Sequence, residues 1–135
     1  MAATLTDEQR TFLRDNAYAA VVTTLRSDGS PHNTVVWIDE EGGDPVFNTA
    51  RGRAKDLHLK RDPRVAVMVV DPNDQYKWVA VSGRAELTEE GADASIDHLA
   101  NKYLGVEEYP YRSPEETRVI VRVTPERVDS SGFGA

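Results

Sequence analysis

Between Asn48 and Lys55 the chain reads Asn-Thr-Ala-Arg-Gly-Arg-Ala-Lys, running from the end of a predicted strand into the first turn of a predicted helix. A helix N-terminus leaves backbone N–H groups without partners and carries the positive end of the helix dipole, so it attracts an anion unaided. Asp or Glu usually complements that end; here Arg51, Arg53 and Lys55 stand there instead. Each such cation is unfavourable by ~0.3–1 kcal/mol on an isolated helix. A charge-assisted hydrogen bond to a phosphate, at roughly 1.5–3 kcal/mol, outweighs that. The segment therefore fits a phosphate seat, with Gly52 letting the backbone approach the ligand closely. The competing reading is a solvated basic helix, and Lys60, Arg61 and Arg64 fit that reading better. Aromatic residues are the second ingredient. Trp37 lies on a predicted strand, and Tyr76 and Trp78 share one face of another; each could stack on a planar ring or serve as a core or dimer contact.

The rest of the composition is exclusionary. The 135 residues include 16 Lys plus Arg against 23 Asp plus Glu, a formal charge of −7. Six of those cations fall between residues 51 and 64, so with Asp56 and Asp62 that window carries +4 and the remainder −11. Such an acidic balance argues against nucleic-acid binding and against an anionic membrane surface. No cysteine is present, which removes thiol catalysis, thiolate metal sites and disulfides. His32, His58 and His98 lack the spacing that presents two imidazoles to one metal, so no metal site is expected. The carboxylate doublets, such as Glu40-Glu41 and Glu89-Glu90, diverge in direction and fit solvated turns better than an acid–base pair. Neither a nucleophile elbow nor a phosphate-binding Walker loop occurs. The polar start MAATLTDEQR has no apolar core, and no apolar run nears a membrane span, so a cytoplasmic protein is expected.

These residues must be positioned by a mainly β chain, read as a single domain over 1–135. Thr6 followed by Gln9 marks a capping box opening a short helix that ends at Asn16. Strands follow at 18–25 and 32–38, joined at Ser27-Asp28-Gly29-Ser30, where Asp-Gly between β-prone runs signals a hairpin. A turn at Glu40-Glu41-Gly42-Gly43 and a short strand at 45–48 lead to a helix at 52–61, stopped by Asp62-Pro63. The apolar run 64–70 and the long run 76–87 read as paired strands, the second with Val79, Val81, Gly83, Ala85 and Leu87 on one face. Thr88 reads as the N-cap of a helix carrying Ala92, Ile96, Leu99 and Tyr103. The loop 105–114, with Tyr109 and Tyr111, reads equally as a pocket cover or a surface connection. A last strand spans 117–123, and the tail from Asp129 is expected to be disordered or packed on a partner. Six or so antiparallel strands with flanking helices indicate a small barrel or sandwich.

The chain resembles the pyridoxamine-phosphate-oxidase-like split-barrel flavoproteins, most closely the actinobacterial branch that uses the deazaflavin coenzyme F420. The resemblance runs through Asp28-Gly29-Ser30-Pro31, the segment Asn48 to Leu57, Arg61-Asp62-Pro63-Arg64-Val65, Tyr76-Lys77-Trp78-Val79 and Gly83 to Leu87. It implies a six-stranded antiparallel split β-barrel of the FMN-binding type, forming a homodimer with a cofactor in each interface cleft. It further implies that Arg53 and Lys55 hold the cofactor phosphate, with Arg51 and Gly52 beside them. Asn48, Thr49 and Ala50 would border the ring and its ribityl chain, His32 and Thr34 would approach from the neighbouring strand, and Tyr76 and Trp78 from the long strand of either subunit. The implied function is an F420H2-dependent reductase acting on an electron-poor small molecule. FMN in place of F420, or flavin binding without turnover, are the alternatives. Pyridoxamine phosphate oxidation itself is the least expected, because that enzyme's substrate-binding C-terminal segment has no counterpart here.

Overall fold

In the computed structural model, which describes residues 3–134, the capping box forms as its spacing dictates. Thr6 Oγ1 accepts the Gln9 N–H at 3.2 Å and Gln9 Oε1 accepts the Thr6 N–H at 2.9 Å, opening α1 (Asp7–Asp15). Asn16 ends the helix in an extended conformation, its amide donating to the Phe12 carbonyl at 3.0 Å. There follow β1 (Ala20–Leu25), β2 (Pro31–Val36), β3 (Asp39–Glu41), β4 (Asp44–Ala50), α2 (Ala54–Arg61), β5 (Arg64–Asp71), β6 (Asp74–Thr88), α3 (Ala92–Leu104) and β7 (Arg118–Ser131). At the β1–β2 turn Asp28 accepts from the Ser30 N–H at 3.0 Å, the Asx geometry that Asp-Gly-Ser favours.

All pairings are antiparallel, in the order β2-β1-β5-β6-β7-β4-β3. The sheet has seven strands rather than the expected six, because the stretch before the Gly42-Gly43 turn forms its own short ladder, Asp39 to Val46 and Glu41 to Asp44. β2 and β3 are its two ends and do not pair with each other, so the barrel is split rather than closed. Alternation along the strands sends Val22, Val65, Val67, Val69, Val79, Val81, Val121 and Val123 inward, with Phe47, Phe12, Leu13 and Ile38 completing the buried core. Among the described residues no helix is long and apolar enough to cross a membrane.

Three local expectations are corrected. Thr88 is the last residue of β6, paired with Ile120, and the cap of α3 is Gly91 in the left-handed region at φ 79°. β7 is 14 residues long, because β6 continues to offer a partner as far as Ser131. The tail is accordingly ordered rather than loose: it continues β7 as far as Ser131, and Phe133 packs edge-on against Phe12 at 5.2 Å, while Ala135 lies outside the described residues. One glycine is dictated by closeness of approach. β6 and β7 shift register at Ser82/Gly83, and a Cβ on Gly83 would lie 1.9 Å from the Thr124 carbonyl oxygen.

Candidate functional site

The turn between β4 and α2 is built around Asp56, which is fully buried. Its carboxylate accepts the Gly52 N–H at 2.8 Å and the Arg51 Nη1 at 2.8 Å. Gly52 sits at φ 87°, the left-handed backbone that lets its N–H turn back toward the helix. Burial alone would raise the Asp56 pKa, but these donors and Lys60 more than offset it, and the carboxyl is held below its ordinary value. Arg51 also donates to Glu89 at 2.8 Å. The first cation of the basic segment is thus occupied in shaping the turn, and it does not line the cleft described next. Later cations of the segment are similarly engaged: Arg61, at the end of α2, with the Leu25 carbonyl, and Arg64, at the start of β5, with Asp62.

An open cleft of about 260 Å³ lies where β2, β4, the start of α2, α3 and the 105–117 loop meet. Asn48, Thr49, Arg53 and Lys55 line it, joined by Val35, Trp37, Tyr109, Tyr111 and Arg118. Arg53 is the N-cap of α2, and among the described residues no side chain caps that helix, although Asp56 brings one carboxylate into its first turn. Lys55 reaches across to Thr34 Oγ1 at 3.1 Å. Its ammonium is half-buried, and desolvation, then Arg53 and Arg118, lower its pKa. Among the described residues no carboxylate pairs with it, whereas Arg53 pairs with Glu116.

Arg118, which the sequence reading passed over, forms the β7 wall. It lies opposite Ala50 in register, is only 7% exposed, and donates from Nε to Asn48 Oδ1 at 2.8 Å. Asn48 is in turn fixed by donating to the Ala92 carbonyl at 2.9 Å. Burial, partly offset by Tyr109 and Glu116, pushes the guanidinium pKa down. The available signal was a charge at the head of the alternating run Arg118-Val119-Ile120-Val121, on the face opposite the core valines. Sequence alone did not reveal that α3 covers that face.

Aromatic rings make the remaining wall. Trp37 stacks on Tyr103 at 5.5 Å and 16° between planes, Tyr109 meets Trp37 edge-on at 6.1 Å, and Tyr111 meets Tyr109 at 5.6 Å. The 105–114 loop is therefore a cleft wall rather than a plain connection. It is tied to α3 by the Tyr109 N–H donating to Asp97 at 2.8 Å and by Arg112 reaching Asp93 and Asp97.

The other predicted residues fall nearby or elsewhere. Ala50 is buried beneath the cleft, and Thr34 touches it through Lys55. His32 does not line the cleft: it lies edge-on to His58 at 5.0 Å, although 26 residues separate them, and His58 in turn shares a 2.8 Å hydrogen bond with Thr24. Tyr76 and Trp78 do not line the cleft of their own chain: they lie on the outer face of β6, where Tyr76 is 71% exposed. Among the described residues, no three His, Asp or Glu side chains converge as a metal would require. Chemically, the cleft joins three cations and a helix N-terminus to a set of flat rings, which suits a planar molecule bearing anionic groups.

Comparison with known proteins bears on this arrangement. The F420H(2)-dependent biliverdin reductase of Mycobacterium tuberculosis is 29% identical over 130 residues, spanning 92% of this chain and 86% of that protein. A solved F420 reductase superposes with a TM-score of 0.77 at 25% identity, covering 92% of this chain and 98% of its own. A conserved hypothetical protein of Mycobacterium tuberculosis shares the fold, with a TM-score of 0.73 at 22% identity, covering 94% and 84%. The profile of the family described as Pyridoxamine 5'-phosphate oxidase matches residues 5–132, nearly the whole chain. With its split antiparallel barrel and matching span, the chain belongs to the pyridoxamine 5'-phosphate oxidase family.

Proposed function

We propose that the chain is an F420H2-dependent oxidoreductase that binds its deazaflavin in this cleft, with the phosphate on Arg53 and Lys55. The observation that carries the reading is the uncapped start of α2, with Arg53 as its N-cap and Lys55 half-buried without a carboxylate partner. A phosphate there would receive charge-assisted hydrogen bonds from both side chains. F420 is favoured over FMN by the F420-dependent relative and by the F420 reductase likeness. FMN, which also carries a phosphate, is the alternative cofactor.

When bound in its reduced form, the deazaflavin supplies a hydride to an electron-poor acceptor such as an enone or quinone. Arg53 and Lys55 would anchor its phosphate. Asn48 and Thr49 would border the ring, and Trp37, Tyr109 and Tyr111 would exclude water from the reacting face. No side chain is assigned a redox role.

We also propose that the active form is a homodimer. Val35, Val21, Met68 and Ala80 face one another in register across β2, β1, β5 and β6 on the outer side of the sheet. Val35 is 68% exposed there and also lines the cleft, so the apolar face runs into the cleft's rim. A second copy on this face would cover that apolar surface and bring Tyr76 and Trp78 toward a partner's cleft. The test is anaerobic oxidation of F420H2 with a panel of enones and quinones. Acceptor-dependent oxidation is expected; tight F420 binding with no turnover on any acceptor would replace the reductase by a carrier protein.

A further inference from the structure

We propose that Arg118 is the receptor for a carboxylate on the acceptor substrate, so that the protein's substrates are flat conjugated molecules bearing an acid group. The assignment rests on the reading above, in which Arg53 and Lys55 take the cofactor phosphate.

A buried arginine is ordinarily satisfied by a carboxylate in the fork-to-fork geometry its planar head allows. Arg118 departs from that pattern. Its Nε is held by a neutral amide, Asn48, and its Nη1 is buried with no hydrogen-bond partner. The nearest carboxylate, Glu116, stands 3.6 Å from Nη1 and is also engaged by Arg53. Around the cleft, then, among the described residues, Arg53, Lys55 and Arg118 are answered by one carboxylate, Glu116.

The head group is also held in place in advance of any ligand. Asn48 is anchored to the Ala92 carbonyl, and the guanidinium lies 5.3 Å from the centre of the Tyr109 ring. A donor fixed beforehand loses little entropy when its acceptor arrives. The rings of Trp37, Tyr109 and Tyr111 line the same cleft, which favours a planar body attached to the acid. A neutral amide of the same shape offers the buried donor one carbonyl oxygen and no charge, and the loss of charge assistance is the basis for discrimination.

Calorimetric titration of the apoprotein with 2-naphthoate and its neutral isostere 2-naphthamide tests the assignment. Naphthoate is expected to bind at least about tenfold more tightly than the amide, and Arg118→Gln to abolish that preference while leaving amide binding unchanged. F420 affinity, measured in parallel, is expected to stay within about threefold in Arg118→Gln while falling at least about tenfold in Arg53→Ala. Equal binding of the two naphthalenes by the native chain, or an undiminished preference in Arg118→Gln, would overturn the proposal. So would an F420 loss in Arg118→Gln matching that of Arg53→Ala, since Arg118 would then serve the cofactor. If Arg118→Gln loses its cooperative melt, Arg118→Lys carries the test: it keeps the charge but not the fork, and should weaken naphthoate at least about threefold with the amide unaffected. An Arg118-dependent preference in a chain that ignores F420 would refute the cofactor reading and leave the carboxylate seat standing.

Discussion

Replacing Lys55 by Met should make the protein more stable and worse at binding its ligand, a pair of effects that a purely structural lysine would not produce together. In the free protein the Lys55 ammonium is half-buried, its one polar contact among the described residues is Thr34 Oγ1, and both Arg53 and Arg118 repel it. The methionine loses one hydrogen bond, roughly 0.5–1.5 kcal/mol, and gains relief from desolvation and from two like charges. Met keeps the length of the stem, so little packing is lost. The balance favours the variant by about 1 kcal/mol, or roughly 3–5 °C in Tm for a chain of this size. Ligand binding moves the other way: losing one charge-assisted bond to a phosphate removes roughly 1.5–3 kcal/mol, about ten- to a hundredfold in affinity. Thermal melts of the apoprotein and fluorescence titration with F420 read the two effects separately. A variant that melts lower than the native chain and binds F420 equally well would refute the reasoning, because Lys55 would then be a structural residue.

Gly83→Ala places a methyl 1.9 Å from the Thr124 carbonyl oxygen. A loss of about 3 kcal/mol is expected, on the order of 10 °C in Tm, read by chemical denaturation. Tyr103→Phe removes the acceptor of the Ile38 N–H at 3.0 Å and the donor to the Tyr18 carbonyl at 2.6 Å. Leaving those groups unpaired should cost about 1–3 kcal/mol, with the Trp37 stack preserved. His58 has a pKa lowered by burial and then by His32, Arg61, Arg26 and Lys55. The unfolded chain therefore takes up the proton first as pH falls, so His58 contributes stability that is present above about pH 6.5 and lost below it. In His58→Gln the fall in unfolding free energy between pH 7 and 5 should be shallower than in the native protein; an equally steep fall would assign the effect to other groups.

Much of the framework was legible because it depends on local chemistry. The capping box at Thr6 and Gln9, the Asp28 turn and the alternating valines of β6 and β7 each state their geometry within a few residues. The number of strands was less legible, since Asp39–Glu41 becomes a strand through pairing with β4 rather than through its own acidic composition. The basic segment is divided by the fold: Arg53 and Lys55 line the cleft, while the partners of the other cations were not legible. Arg51 turns to Asp56 and Glu89, contacts set by a buried carboxylate and by a residue 38 positions away. Arg118 reaches the same cleft from the opposite end of the chain, brought there by the β4–β7 ladder. The aromatic wall was split in the same way: Tyr109 and Tyr111 line the cleft with Trp37, while Tyr76 and Trp78 lie on the outer sheet face. Side-chain types pointed to an anion site, and only the fold determined which cations line the cleft.

Equilibrium titration of the apoprotein with F420 and FMN side by side tests the central claim most directly. F420 should bind with its fluorescence altered and with affinity at least about tenfold above that of FMN, and Arg53→Ala should weaken it by about ten- to a hundredfold. Tight binding of FMN with no response to F420, or F420 binding indifferent to both Arg53→Ala and Lys55→Met, would contradict the account.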